Sequence, residues 1–240
     1  MVSKSEIKLI TSLSQKKHRK RNQLFVAEGV KLVEEFINSD YKIHKIYATD
    51  DYNGKIALSE LNIISEKELN RLSNLHTANT ILGVFYIPIT ITRDNFGLQV
   101  VLDGVKDPGN LGTIIRLCDW FGVTKLVCSL DTVDCYNPKV VQASMGSLAR
   151  VLIEYVDVVS YLKQTKLPIY CSLLSGENVY KTTLPTDAII VMGNEANGIR
   201  KEVIAVANHT LTIPQFGTKK HTESLNVAMA TSIFLSEFRR

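Results

Sequence analysis

Apolar and polar positions along the chain fall into two regimes that meet between about Pro88 and Leu98. Upstream, apolar residues at helical spacing predict helices from Lys4 to about Gln15 and from Gly29 to Asn38. Strands are predicted at Ile43 to Ala48, Leu61 to Ser65 and Ile81 to Ile87, with a short helix at Glu66 to Leu72. Thr90 to Gly97 is polar, lacks periodicity and reads as a linker. Downstream, short apolar runs alternate with helical segments. Strands are predicted at Val100 to Asp103, Lys125 to Ser129, Arg150 to Val156, Pro168 to Leu174, Ala188 to Met192 and Thr210 to Pro214. The helices between and after them are Leu111 to Phe121, Pro138 to Leu148, Val158 to Gln164, Ile199 to Ala207 and Leu225 to Phe238. Asn110 is a candidate N-cap for the first of these and Gly122 its stop. Strands apolar throughout and separated by helices predict a parallel sheet covered on both faces, a Rossmann-like α/β architecture.

Composition excludes several classes. The 240 residues are 45% hydrophobic and 22% charged, which suits a folded chain with a sizeable core. The longest apolar stretches fall well short of the roughly 18 residues a membrane helix needs, and Met1 to Ile10 has no apolar signal core. Four cysteines without a Cys-x-x-Cys pair imply reduced thiols and a cytoplasmic setting. The five histidines lack ligand spacing, so no metal site is expected. Net charge is only +4, but Lys16, Lys17, His18, Arg19, Lys20 and Arg21 concentrate positive charge. Such a run is either a solvated helix end or a phosphate-contacting patch.

In an open parallel sheet, ligands gather at the carboxyl ends of strands. Three such loops stand out: Asp107-Pro108-Gly109-Asn110-Leu111-Gly112 with Arg116 in the following helix, Gly193-Asn194-Glu195-Ala196-Asn197-Gly198, and Ser224-Leu225-Asn226-Val227 after Ile213-Pro214. Each alone reads equally well as turn and cap chemistry. Arg116 lies in the apolar stretch Ile114 to Cys118, which predicts a partner for its guanidinium: Asp103 or Asp119 if structural, a phosphate if functional. A nicotinamide oxidoreductase would need Gly-x-Gly-x-x-Gly after its first strand, and Gly104, Gly109 and Gly112 have the wrong spacing. No Gly-Lys-Ser/Thr occurs, which removes a P-loop.

Taken in order, the three loops resemble the signature motifs of the SpoU (TrmH-like) RNA 2'-O-ribose methyltransferases, over residues 98 to 239. Asn137 to Ser147 is similar to the segment between the first two motifs. Lys17 to Arg21 with Phe25-Val26-Ala27-Glu28-Gly29 resembles the L30e-like RNA-binding domain that often precedes this catalytic domain. The resemblance implies domains at 1–90 and 98–240, a C-terminal trefoil knot, a homodimer, and S-adenosyl-L-methionine as cofactor. It implies a structured RNA substrate, ribosomal favoured over transfer RNA, with a binding-only module as the alternative. Arg116, Asn110, Glu195 and Asn226 are its catalytic positions. Gly193, Asn194, Gly198, Ile213, Ser224 and Leu225 fall to the cofactor, and Lys17, Arg19, Arg21 and Arg150 to RNA. Guanidinium groups hold their proton far above neutral pH, so Arg116 suits a phosphate clamp and hydroxyl activator better than a base. His221, in the third loop, reads as a loop residue. Two departures are visible: Gln215 to Glu223 makes the stretch before Ser224 long, and Leu117-Cys118 follows Arg116 where Thr-Ala is frequent in the family.

Overall fold

The computed structural model describes residues 2–88, 96–217 and 223–240. In chain order its elements are α1 (Lys4–Ser12), α2 (Lys16–Asn22), β1 (Leu24–Glu28), α3 (Val30–Ile37), β2 (Ile43–Ala48), β3 (Asn62–Ile63), α4 (Glu66–Leu72) and β4 (Ile81–Tyr86), then β5 (Gln99–Asp103), α5 (Pro108–Trp120), β6 (Lys125–Ser129), α6 (Pro138–Ser144), β7 (Ile153–Val156), α7 (Val158–Gln164), β8 (Ile169–Asn178), β9 (Ile189–Gly193), α8 (Lys201–Ile204), β10 (His209–Thr212) and α9 (Val227–Phe238). They form two compact units, Met1–Ile89 with Asp134–Arg150, and Thr90–Val133 with Val151–Arg240. The expected linker lies mostly outside the described residues.

In the first unit, β4 lies between β1 and β2 and runs antiparallel to both, and β3 adds to β2 in parallel. β1 was not among the expected strands. It sits at the sheet edge, yet all five of its residues are buried because α2, α3 and α6 pack on it. Phe25 stands at the centre of an aromatic cluster with Phe36, Tyr41, Phe85 and Tyr136, at centroid distances of 5.1, 5.6, 5.8 and 4.8 Å. Tyr136 reaches this cluster from the 134–150 segment, so a piece of the later sequence completes the first core. That segment was expected to be helical through Leu148. Its helix ends at Ser144 because Met145 (φ 52°) and Gly146 (φ 94°) turn left-handed. A side chain at Gly146 would press against the Glu35 side chain, so the turn needs glycine.

α2 contains no apolar residue: its sequence is KKHRKRN. A helix lying on a strand must still turn one face inward, and that position falls on Arg19, only 2% exposed. The buried guanidinium is fully engaged. Nε and Nη2 donate to Asp134 Oδ2 at 3.0 and 2.6 Å, and Nη1 donates to the carbonyls of Leu13 and Ser14 at 2.8 and 2.9 Å. Arg19 is therefore not an RNA contact, a correction to the sequence expectation; it ties the N-terminal helices to the 134–150 segment.

The second unit is a six-stranded sheet in the order β10-β8-β9-β5-β6-β7, every pair parallel, which is the α/β architecture expected. β5 and β6 are buried along their whole length, as strands covered on both faces must be. β8 is longer than expected: between Cys171 and Glu177 the chain leaves its ladder with β10, whose register jumps between Thr210 and Leu211. α9 packs on α5, and Arg239 donates to the carbonyls of Phe121 and Gly122 (2.8 and 2.7 Å) that end α5. Among the described residues no helix is long and apolar enough to cross a membrane.

Removing one partner of a buried ion pair strands the other charge. Arg19→Ala should lower the unfolding free energy by about 3 kcal/mol, whereas Lys17→Ala, at an exposed position of the same helix, should stay within about 0.5 kcal/mol of wild type. Urea midpoints on the two variants check this.

Candidate active site

Because the sheet is parallel, β5, β9 and β10 release their loops at one edge. The first loop is set by a helix cap. Asp107, not Asn110, is the N-cap of α5: its carboxylate accepts from Asn110 N at 2.8 Å and Pro108 takes the first helical position. This corrects the expectation, and it has a consequence for chemistry. The Asn110 amide is released from capping and points its hydrogen bonds elsewhere.

Asn110 Nδ2 donates to Glu195 Oε1 at 2.9 Å, and Asn226 Nδ2 donates to Asn110 Oδ1 at 2.9 Å. The chain of donors runs one way, from Asn226 through Asn110 to the Glu195 carboxylate. That carboxylate also accepts from the backbone N–H groups of Lys106 and Asp107, each at 3.4 Å. Asn226 has a second task as N-cap of α9, its Oδ1 accepting from Ala228 N at 2.9 Å and Met229 N at 3.3 Å. Three loops distant in sequence are thus joined through three side chains, two of them exposed, and all three are residues expected from the motifs.

The second loop is stiffened from within. Asn194 and Gly198 exchange two backbone hydrogen bonds of 2.9 Å, and Asn194 Oδ1 accepts from Ala196 N and Asn197 N at 2.9 and 3.0 Å. Asn194 Nδ2 donates to Gly104 O at 2.6 Å, fixing the loop to the end of β5. A Cβ on Gly193 would fall on the Gly198 carbonyl group and the Ile199 nitrogen, so the close pass requires glycine. Gly198 adopts φ 67° with open space beside it. Among the other expected cofactor residues, Ile213 is half-buried while Ser224 and Leu225 are exposed.

Arg116 is exposed. The buried stripe of α5 is Leu111, Ile114, Ile115 and Cys118, and Arg116 lies off that face. Of the partners expected for Arg116, neither carboxylate is taken up: Arg116 makes no ion pair with the described residues, and Asp103 is paired with Arg200. Among the expected RNA contacts, Lys17 and Arg21 are exposed, and Arg150 donates to Glu35. His221 lies outside the described residues, as do residues 218–222 of the long third loop.

Two site residues escaped the sequence reading. Lys106 holds Asp131 in an ion pair of 2.8 Å, and Ser129 donates to the same carboxylate at 2.7 Å. These contacts, the Lys106 ammonium first, hold the Asp131 carboxyl at about 2, well below the ordinary carboxylate range. The signal was available, since Asp131 follows another strand end, that of β6.

The geometry and the comparisons with known proteins agree. The SpoU rRNA Methylase family model matches residues 97–236, and an MRM3-like substrate binding domain matches residues 4–83. The chain belongs to the SpoU rRNA methylase family. It is 27% identical over 237 residues to a 23S rRNA (guanosine(2553)-2'-O)-methyltransferase, RlmP, of Bacillus subtilis, covering 95% of this chain and 93% of that protein. A solved TrmH-family protein of Porphyromonas gingivalis is 38% identical with a TM-score of 0.90, over 100% of this chain and 98% of that one. An AdoMet-bound rRNA methyltransferase from Sinorhizobium meliloti is 28% identical with a TM-score of 0.86, over 100% and 96% of the two chains.

The strand-end loops suit such a cofactor. The open space at Gly198 leaves backbone accessible, and the large apolar side chains of Phe216, after β10, and Leu225, just before α9, are left exposed.

Gly193→Ala should prevent the 193–198 loop from closing and abolish cofactor binding. Gly198→Ala meets no neighbour and should cost only the about 1–2 kcal/mol of a left-handed non-glycine residue. Thermal midpoints with and without S-adenosylhomocysteine separate the two.

Proposed function

We propose that the chain transfers a methyl group from S-adenosyl-L-methionine to a ribose 2'-hydroxyl of structured RNA, with ribosomal RNA as substrate class. The observation that carries this is the Asn226–Asn110–Glu195 network at the sheet edge of a SpoU family chain. The relatives named as 23S rRNA methyltransferases support the ribosomal choice over transfer RNA. Retention of every polar motif residue supports an enzyme over a binding module.

The bound cofactor supplies a methyl on a sulfonium, open to in-line displacement. Asn110, Glu195 and Asn226 place the ribose, and their mutual hydrogen bonds fix the three loops before RNA arrives, which lowers the cost of ordering at the reacting geometry. Backbone groups of Gly193, Asn194, Gly198, Ile213, Ser224 and Leu225 hold the cofactor. Arg116, exposed and without an ion pair among the described residues, has its donors available for a phosphate, so its role is clamp and hydroxyl activator.

Residues 1–90 serve as the substrate-binding domain and 98–240 as the catalytic one, with Lys17, Arg21 and Arg150 on the RNA side. A homodimer belongs to the same reading: α5 and α9 pack on each other and leave Trp120 84% and Met229 60% exposed, apolar surface that a second copy would cover. A trefoil knot would return the segment after β10 to the sheet edge, and the hydrogen bond from Asn226 to Asn110 supports that return. We place the protein in the cytoplasm, where ribosomal RNA is found and its buried thiols stay reduced.

Mass-spectrometric mapping of ribose methylation in ribosomal RNA, with and without the protein, tests the function, and unchanged methylation refutes it. In a labelled-methyl assay Arg116→Ala should abolish transfer while keeping the wild-type thermal midpoint, because an exposed clamp contributes to reaction geometry and not to folding.

Replacing Lys17, Lys20 and Arg21, three of the exposed cations of α2, by Gln should flatten the salt dependence of RNA binding. The slope of log K against log salt should fall by about 0.9 for each phosphate that is no longer neutralised, taking the duplex value. An unchanged slope would remove α2 from the RNA surface.

A further inference from the structure

Asp103, the last residue of β5, is 1% exposed and does not belong to the Asn226–Asn110–Glu195 network. A carboxylate that deep is costly unless paired and hydrogen-bonded, and here one residue meets the whole demand. Arg200 donates its backbone N–H to Asp103 Oδ2 at 2.8 Å and its Nε to Oδ1 at 2.7 Å, and its Nη2 lies 2.5 Å from the same oxygen.

The placement is specific. Asp103 pairs with Gly193 in the β5–β9 register, so the 193–200 loop departs beside Asp103. It returns at Arg200 to the Asp103 side chain. Gly104, the next residue, takes Asn194 Nδ2 on its carbonyl at 2.6 Å. Both stems of the loop are therefore fastened to consecutive residues, Asp103 at the end of β5 and Gly104 just after it. Between them the loop closes on itself through the Asn194–Gly198 pair. The Arg200 fork holds the returning stem of this closed loop to the end of β5. Lysine could keep the charge but not the paired geometry.

We infer that Asp103 and Arg200 are a positioning pair that locks the stem of the 193–200 loop and thereby sets affinity for the cofactor. This rests on the reading that the loop holds S-adenosyl-L-methionine. Without the lock, the loop must be ordered when the cofactor binds, and that cost appears as weaker affinity.

The test uses the full chain, calorimetry with S-adenosylhomocysteine, and steady-state methyl transfer. Arg200→Ala should raise the Kd and the cofactor KM about tenfold, while kcat at saturating cofactor falls less than about twofold, since Arg200 touches none of the ribose-placing residues. Arg200→Lys should fall between wild type and Arg200→Ala. Because Arg200→Ala strands a buried carboxylate, Asp103→Asn/Arg200→Gln, which buries no charge, provides a second variant, again with raised Kd and KM. Folded variants with wild-type Kd and KM overturn the inference and leave the pair a structural one. So does a fall in kcat at unchanged KM, which would place Arg200 in the chemistry. Failure of the wild-type protein to bind S-adenosylhomocysteine overturns the cofactor reading instead.

Discussion

The alignment of β5 with β9, residue against residue from Gln99–Ile189 to Asp103–Gly193, is the constraint on which the site depends. Parallel strands in register end together. Their loops therefore start from adjacent points, and short polar side chains suffice to join them. Asparagine reaches only a few ångströms, so Asn110 could not meet both Glu195 and Asn226 if either strand slipped. A one-residue shift would also turn Asp103 to the opposite face of the sheet and leave a buried carboxylate facing apolar side chains. Register is thus specified twice, by the apolar strand interiors and by the polar demands at their ends.

Much of this was legible in the sequence. The alternation of apolar runs and helical segments pointed to the parallel sheet, and the three polar loops fell at strand ends because strand ends are where a parallel sheet needs turn and cap residues. Asn110, Glu195 and Asn226 were identified by loop content and resemblance, and they meet. The helix cap was misplaced by three residues because Asp107 and Asn110 are both good caps, and only the backbone shows which one accepts the bond. β1 is not legible because it follows closely on a run of cations, and part of its burial comes from α6, more than a hundred residues later. No local pattern reports such a partner.

The two arginines illustrate the same limit from opposite sides. Arg116 stands in an apolar sequence and is exposed; Arg19 stands in a cationic sequence and is buried. Neighbours along the chain say little about the environment of a helical residue, because residues one apart face directions about 100° apart. On α5 the apolar stripe leaves Arg116 outside it. On α2 the helix has no apolar residue, so the inward position took a guanidinium, and the fold met its demand with Asp134 and two carbonyls.

That solution brings part of the catalytic sequence into the first unit. Asn137 to Ser147 resembles a stretch between two methyltransferase motifs, yet the residues that flank it, Asp134, Tyr136 and Arg150, make their contacts with Arg19, the Phe25 cluster and Glu35. The first unit's core is completed by chain that belongs, by sequence, to the second domain. A domain built this way cannot complete its final core before the middle of the chain is present, and a truncation near residue 90 would leave Arg19 without its counter-ion Asp134 and the Phe25 cluster without Tyr136. The chain passes from one unit to the other at 133–134 and 150–151 as well as near residue 90, so neither unit is a continuous stretch of sequence. The gap between the two family matches, at residues 84–96, is therefore not the only place where the compact units meet along the chain.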